Sequence, residues 1–311
     1  MTITSAYEIL GNMKTKTETG AGNFPAAHVV ERIVAALEKG DIPWRKPWRS
    51  CRAHNAVTRH EYTGVNALIL NMAAHYPDPR FLTYKQAQAM GAQVKKGEKG
   101  WPVVFYSSLV KKTEEKKETG ETETSARRFR FMRYYTVFNA CQVDGLPALD
   151  ESAPVATLTA PDEIVQRMPR RPTIADGSRA CYNVLADRVE MPPRTAHWNS
   201  AEEYYSTLFH ELTHATGHES RLNRDLSGQF YGKDGKYARE ELVAEIGAQF
   251  LCQAAGINVP QVEENAVAYC QGWARALKSD PQAVFYAAAK GQAAHDYILG
   301  VARNTTTEGE S

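Results

Sequence analysis

The amino-acid sequence predicts an α+β protein in two parts, and three observations carry that reading. Strand-like runs rich in β-branched and aromatic residues gather between residues 102 and 139, whereas long helical patterns dominate after residue 200. The charge is divided: residues 1–150 hold 22 Lys/Arg against 15 Asp/Glu, residues 151–311 hold 15 against 21, and the whole chain stands at +1. Between the halves, Pro147, Pro154, Pro161, Pro169 and Pro172 interrupt any regular element and mark a linker over 146–172. The expected organisation is a flexible N-terminus over 1–23, a first domain over 24–145, that linker, a second domain over 173–303 and a flexible tail over 304–311.

The elements follow in order. Pro25 suits a first helical turn, Val29, Val30, Ile33, Val34 and Leu37 make one apolar face, and Gly40 suits the stop. Residues 41–49 are too proline-broken for regular structure. Helices fit Gly64–Ala74 and Tyr84–Met90, the second closed by Gly91. Strands fit 102–110 and 127–139, with the charged, Thr-rich stretch Lys111–Ala126 as a solvated loop between them. In the second half, strands fit Cys181–Leu185 and Arg188–Met191. A long helix then runs from Ser200 to about Thr216, opened by a capping box in Ser200-Ala201-Glu202-Glu203 and ended by Gly217. Three more helices cover about Tyr237–Ala255, 261–278 and 281–302, the last opened by Asp280-Pro281.

Five scattered cysteines, with no C-x-x-C pair, argue against both a disulfide framework and a thiolate metal site, and fit a reducing cytoplasm. No apolar run is long enough to cross a bilayer, so no membrane partner is expected.

The chemistry concentrates at His210-Glu211-Leu212-Thr213-His214. On a helix, positions i and i+4 share a face, so both imidazoles can grip one divalent ion, while Glu211 can act as base on water bound to it. A catalytic ion needs a third protein ligand. His218 follows Gly217, which points it away, and the continuation H-x-x-G-x-x-H fails because Ser220 stands where histidine is required. Glu241 in Glu241-Leu242-Val243-Ala244-Glu245 is the better candidate: it resembles the E-x-x-[S/A]-[D/E] signature of thermolysin-like gluzincins, whose first carboxylate binds metal and whose last orients a ligand histidine. Glu241 is therefore expected as ligand and Glu245 as its supporting partner. Read alone, Glu240, Glu241 and Glu245 would be an ordinary solvated helix face. Zn²⁺ is the expected ion, although two imidazoles and a carboxylate also accept Mn²⁺, Co²⁺ or Ni²⁺. The reaction suggested is peptide hydrolysis by a zinc-dependent metallopeptidase, with Arg188–Met191 as an edge strand for an extended peptide and Tyr231, Tyr237 or His218 as oxyanion donor.

The basic half has the composition that binds a nucleic-acid strand without reading its sequence: cations for phosphates and flat rings for bases. Three clusters carry it: Trp44, Arg45, Lys46, Trp48, Arg49 and Arg52; Lys95, Lys96 and Lys99 with Trp101; and the strand bearing Arg128 and Arg130. Alternation on that strand places Arg128, Arg130 and Tyr134 on a cationic face, and Phe129, Phe131 and Tyr135 on a packed one. Taken singly, each of these aromatics is more often a packed core residue than a stacking platform, and the clustering of three basic segments carries the reading.

The order of motifs is specific: Trp44-x-x-Pro47-Trp48, Asn55, Tyr62-Thr63-Gly64-Val65-Asn66, Pro79-Arg80-Phe81-Leu82-Thr83, then Gly91-Ala92-x-Val94-x-Lys96-Gly97-Glu98-Lys99-Gly100. It resembles the N-terminal domain of ArdC-type antirestriction proteins, and the second half, through His210–His214 and Glu241–Glu245, resembles the metallopeptidase-like domain joined to it. The resemblance covers about 24–300. It implies an α+β domain that binds single-stranded DNA (with duplex DNA as a weaker partner), a zincin-like domain of gluzincin type, and protection of incoming conjugative plasmid DNA in the cytoplasm of the recipient cell. The alternative is a DNA-dependent metalloprotease that cuts DNA-bound or regulatory host proteins.

Overall fold

A computed structural model describes residues 25–45, 52–116, 122–149, 159–196, 198–226, 236–257 and 263–301. The first half opens with α1 (Pro25–Glu38), followed by β1 (His54–Asn55), α2 (Val65–Asn71), β2 (Arg80–Thr83), α3 (Tyr84–Ala89) and β3 (Gln93–Val94). Two long strands, β4 (Trp101–Lys116) and β5 (Thr122–Asn139), and the short β6 (Val143–Asp144) complete it. One sheet runs β1-β2-β5-β4, and β3 pairs with β6. The α3 turn is started by a full capping box, with Thr83 Oγ1 accepting from Gln86 N and Gln86 Oε1 accepting from Thr83 N.

The expected loop over Lys111–Ala126 is corrected. Residues 111–116 and 122–126 continue the antiparallel ladder, from Lys111 opposite Arg127 to Lys116 opposite Thr122. Its threonines are β-branched and suit a pleated strand, and charge on a two-stranded ribbon has water to face on both sides. Residues 117–121 lie outside the described ones.

The second half contains α4 (Pro161–Arg167), β7 (Thr173–Asp176), β8 (Cys181–Asn183), β9 (Arg188–Met191), α5 (Ala201–Ala215), α6 (Lys236–Ala255), α7 (Glu263–Ser279) and α8 (Ala283–Ile298). The sheet order is β7-β9-β8, with β9 parallel to β7 and antiparallel to β8. Arg188–Met191 is therefore the central strand, not an edge; β7, unforeseen, covers its free side. Helix α4 falls inside the stretch expected as a linker. Pro161 sits in its first turn beside Asp162 and Glu163, where a missing N–H costs nothing and negative charge is favoured. Ile164, Val165 and Met168 bury it in the second core.

There are two large cores, and the first joins the halves in an unexpected way. The first packs Val29, Ile33 and Leu37 of α1 and Leu68 and Ile69 of α2 against Leu242, Val243 and Ile246 of α6, Leu277 of α7 and Val284 and Ala288 of α8. The second packs the β7–β9 sheet and Leu208, Phe209 and Leu212 of α5 against Ala248, Leu251 and Cys252 of α6. Helix α6 is thus apolar on most of its circumference because it is buried between both cores. Gly256, at φ +68°, ends it in a conformation that side chains disfavour. Helices α6 and α8 approach so closely that a Cβ on Gly291 would stand 3.0 Å from Gly247 N and 3.2 Å from Val243 O.

Trp44 is corrected by the same core. It is 0% exposed, crosses Trp273 edge-on at 6.1 Å, and donates from Nε1 to Tyr269 Oη at 3.4 Å. It ties the first half to α7 and offers no face for a base. Among the described residues no helix is long and apolar enough to cross a membrane.

Candidate metal centre and basic groove

Helix α5 begins at Ser200, whose hydroxyl accepts from Glu203 N at 3.2 Å. The return bond of the cap goes to Glu203 Oε2 from Asn199 N at 2.7 Å, one residue earlier than a strict box. Tyr205, Leu208, Phe209 and Leu212 bury one side of the helix, which turns His210 and His214 towards α6. Gly247 on α6 permits the approach: a Cβ there would meet Thr213 Cγ2 at 2.6 Å.

Three donors converge. His210 Nε2 and His214 Nε2 are 3.1 Å apart; Glu241 Oε2 lies 3.5 Å from the first and Glu241 Oε1 3.5 Å from the second. A tetrahedral ion with bonds of about 2.0–2.1 Å sets its donors about 3.3 Å apart. The edges lie close to this, the two carboxylate edges ending on different oxygens of Glu241, so the donor set fits a divalent cation held by two imidazoles and that carboxylate. Among the described residues it is the cluster of histidine and carboxylate donors that could hold one. Burial works against charge on His210, but Glu241, Glu245 and Glu211 outweigh it and raise its pKa. Burial likewise works against Glu241, and His210 and His214 outweigh it, holding that carboxylate below its ordinary range. The first shift reflects the carboxylates gathered around His210 and the second the imidazoles beside Glu241, a setting of opposed charge in which a bound cation would take the place of the protons.

Behind the donors stands a group the sequence reading did not assign. His214 Nδ1 donates to Glu240 Oε1 at 3.3 Å. Glu240 is 3% exposed and accepts two bonds from Arg224, from Nη2 at 2.7 Å and Nε at 3.1 Å. Arg224 also donates to Thr216 Oγ1 at 2.6 Å and to the Thr213 carbonyl at 2.8 Å. Burial opposes ionisation of Glu240, and Arg224 with His214 overcomes it, lowering its pKa. This bond leaves the Nε2 lone pair of His214 pointing at the donor centre. Glu245, expected in that supporting role, is half-buried and acts on His210 through its charge. His218 is turned away as expected, its Nδ1 2.8 Å from Ser220 Oγ. Tyr231 and the side chain of Tyr237 lie outside the described residues.

The loop after α5 is pinned twice. A Cβ on Gly217 would meet Leu226 Cδ2 at 2.6 Å, so its smallness serves this packing. Arg221 pairs with Asp187 and donates from Nη2 to Tyr182 Oη at 3.1 Å, which fastens the loop carrying Arg224 to the sheet.

On the first half, an open groove runs past Arg32, Lys39, Tyr76, Lys99 and Trp101, with the carboxylates of Asp41 and Glu98 also on its walls. Arg32 lies over the Trp101 ring at 5.2 Å. Gln142 Nε2 donates to Glu98 Oε2 at 2.7 Å and to the Lys99 carbonyl at 3.0 Å, clamping the glycine loop. Gly100 is required there, because a Cβ would stand 2.9 Å from Val137 O. Lys96 and Lys99 are exposed; Lys95 is exposed as well but donates to the Cys141 carbonyl at 2.9 Å. Arg52 sits 3.3 Å from His295 Nε2 and 3.5 Å from Glu61. Lys46, Trp48 and Arg49, and the side chains of Arg45, Arg128 and Arg130, lie outside the described residues. The face assignment on β5 is corrected where it is described: Tyr134 packs against the first core beside Val104, while Tyr135 is exposed and meets exposed Phe105 at 5.5 Å. Pairing decides this, since Val104 lies opposite Tyr134 and a buried partner draws its neighbour inward.

Comparison with known proteins agrees with this arrangement. Residues 25–138 match the family described as the N-terminal domain of anti-restriction factor ArdC, and residues 162–290 match a zincin-like metallopeptidase family. The chain is 36% identical to the antirestriction ArdC protein from plasmid R388, covering 97% of its metal-free crystal structure with a TM-score of 0.66. The chain belongs to the ArdC antirestriction family. The Mn(II)-bound structure of the R388 protein matches with a TM-score of 0.69, over 91% of this chain and 100% of that one. Curated relatives include an uncharacterized protein, y4eC, of Sinorhizobium fredii, 35% identical over 87% of this chain and 90% of its own length. Two Escherichia coli proteins named DNA primase TraC are 37% and 36% identical, but the chain spans only 26% and 20% of their lengths. The second half is thus a zincin-like domain, within an α+β protein of the ArdC type.

Proposed function

We propose that this protein binds single-stranded DNA through its basic half, carries a zinc-dependent metallopeptidase centre at His210, His214 and Glu241, and protects entering plasmid DNA from host restriction. The observation that carries the reading is the 3.1–3.5 Å triangle of those three donors, in a chain of the ArdC family. A divalent ion held there would supply a polarised carbonyl and a water of lowered pKa. His210 and His214 hold it from one helix face and Glu241 from the facing helix. Glu211, buried beside His210, takes the proton of the attacking water and returns it to the leaving amine. Glu240 keeps His214 in the ligating tautomer.

For the strand, the groove offers Arg32, Lys39 and Lys99 to phosphates and Trp101 and Tyr76 to bases. The sequence also offers Arg52, Lys95 and Lys96 to the strand, and Arg45, Lys46, Trp48, Arg49, Arg128 and Arg130, whose side chains lie outside the described ones, complete the proposed set. Duplex DNA would bind more weakly, since rings cannot reach paired bases.

A second reading, a DNA-dependent protease that cuts DNA-bound or regulatory host proteins, is favoured by the shared core that joins the basic half to the metal helix α6. One experiment separates them: assay plasmid protection and single-strand binding across a salt series in Glu211→Gln and in Arg32→Ala/Lys39→Ala/Lys99→Ala. Passive protection predicts that the first variant protects fully and the triple variant fails. Protection lost in Glu211→Gln with DNA affinity unchanged would favour the protease. Binding that ignores salt would sink both.

A further inference from the structure

We infer that Phe105 and Tyr135 form a stacking platform for bases of the bound strand, on the β4–β5 ladder outside the groove. The inference deepens the single-strand reading above and rests on it. Val103 and Val137 are buried beside Leu70, Ala73 and Phe81. The register puts Phe105 and Tyr135 on the same face of the ladder, farther along, where they are 37% and 42% exposed. Arg133, opposite Phe105, is exposed as well. The two rings meet edge to face, with centroids 5.5 Å apart and planes at 78°. That contact steadies each ring while leaving ring surface open to solvent. Single exposed apolar side chains are ordinary; two rings presented together beside a cation are what base stacking needs.

The charge along the ladder selects the occupant. From the Phe105–Arg133 rung to the Lys111–Arg127 rung it carries Lys111, Arg127, Arg128, Arg130 and Arg133, and no Asp or Glu. Its carboxylates begin at Glu114, about 30 Å farther along the strand from Phe105. A single strand brings phosphates to the cations and unpaired bases to the rings. A second copy of the chain, related by a twofold axis, would instead set like charge against like. An extended peptide finds the edge of β4 already closed beside the rings. Asn66 Nδ2 donates to the Val104 carbonyl at 2.8 Å, and Asn66 Oδ1 accepts from Val104 N at 2.8 Å. Trp101, a wall of the basic groove, opens the same strand four residues before Phe105, about 13 Å away. Groove and platform thus lie within reach of one DNA strand.

The test uses the full chain and dT oligonucleotides carrying 5-iododeoxyuridine, which on irradiation crosslinks to an aromatic side chain in contact with it. In the wild type, mapped crosslinks should fall on Phe105 or Tyr135. Phe105→Leu/Tyr135→Leu keeps an apolar surface but removes both rings. It should weaken binding about 10-fold, with the salt slope unchanged because no cation is lost. Tyr135→Phe keeps the ring and should bind as the wild type does. A thermal melt checks the folding of each variant, and the wild-type crosslink stands even where the double variant fails to fold. Salt-dependent binding with no crosslink at either ring, or affinity unchanged in the folded leucine pair, overturns the platform and leaves the groove standing. A wild-type dimer in sedimentation that Tyr135→Glu converts to monomer assigns the rings to a second copy and overturns the platform too. No salt-dependent binding by the wild type overturns both the platform and the single-strand reading.

Discussion

Removing the carboxylate of Glu240 should cost both metal affinity and stability, by amounts the geometry separates. In Glu240→Ala, Arg224 keeps its bonds to Thr216 Oγ1 and the Thr213 carbonyl but loses the two to Glu240, at 2.7 and 3.1 Å. Its side chain is 1% exposed, so water cannot replace them. Breaking a buried pair from one side costs about 3–5 kcal/mol. Glu240→Gln keeps the shape and one acceptor but removes the charge, and its amide nitrogen faces a donor of Arg224 whichever way it is turned. The stability loss should shrink, while metal affinity should still fall about 10–100-fold, the usual effect of removing a partner that orients a ligand histidine; that is about 1.4–2.7 kcal/mol. Competition with a chromophoric chelator measures the affinity, and denaturant unfolding of the metal-free protein measures the stability. A Glu240→Gln variant that binds metal as tightly as the wild type would refute the positioning role.

Other outcomes follow from the same packing. Gly291→Ala should destabilise the fold by about 1–3 kcal/mol, because its Cβ would press on the backbone of α6 at 3.0–3.2 Å; an unchanged denaturation midpoint would show that the helices can part freely. Trp44→Ala should cost about 3–5 kcal/mol in unfolding, while the milder Trp44→Phe should leave single-strand affinity unaltered; a specific loss of DNA binding in the phenylalanine variant would return Trp44 to the DNA surface. Asp187 has its pKa lowered below the ordinary 3.8, chiefly by Arg221. Its contribution to stability is therefore present above that value and lost as pH falls through the folded pKa, so Asp187→Asn should flatten the acid limb of the stability curve; an identical acid midpoint in both proteins would contradict this.

Much of the fold was legible because its signals were local. Thr83 and Gln86 announce α3, Ser200 and Glu203 announce α5, and i,i+4 spacing puts His210 and His214 on one face. What escaped depended on distant partners. Among Glu240, Glu241 and Glu245 the sequence cannot say which carboxylate meets a histidine, because that depends on how α6 is rotated between its two cores. Arg224, which selects Glu240, comes from a loop with no periodicity. Trp44 beside Arg45 and Lys46 reads as a stacking ring; its burial is decided by Trp273 and Tyr269 at the far end of the chain. Helix α4 did carry a signal, Pro161-Asp162-Glu163 ahead of Ile164 and Val165, masked by the surrounding prolines. Strand β7 carried none, being four residues long and paired in parallel with β9. The packing of both halves into one shared core escaped for the same reason: a shared core is invisible to any local pattern.

The central claim is that α5 and α6 together hold one cation. X-ray absorption spectroscopy on zinc-loaded protein, with metal stoichiometry measured in parallel, tests it directly. The account predicts one ion per chain with two imidazole nitrogens and carboxylate oxygen in its shell, and loss of that ion in His214→Ala and in Glu241→Ala. A full complement of zinc retained by both variants, or a shell without imidazole, would contradict it.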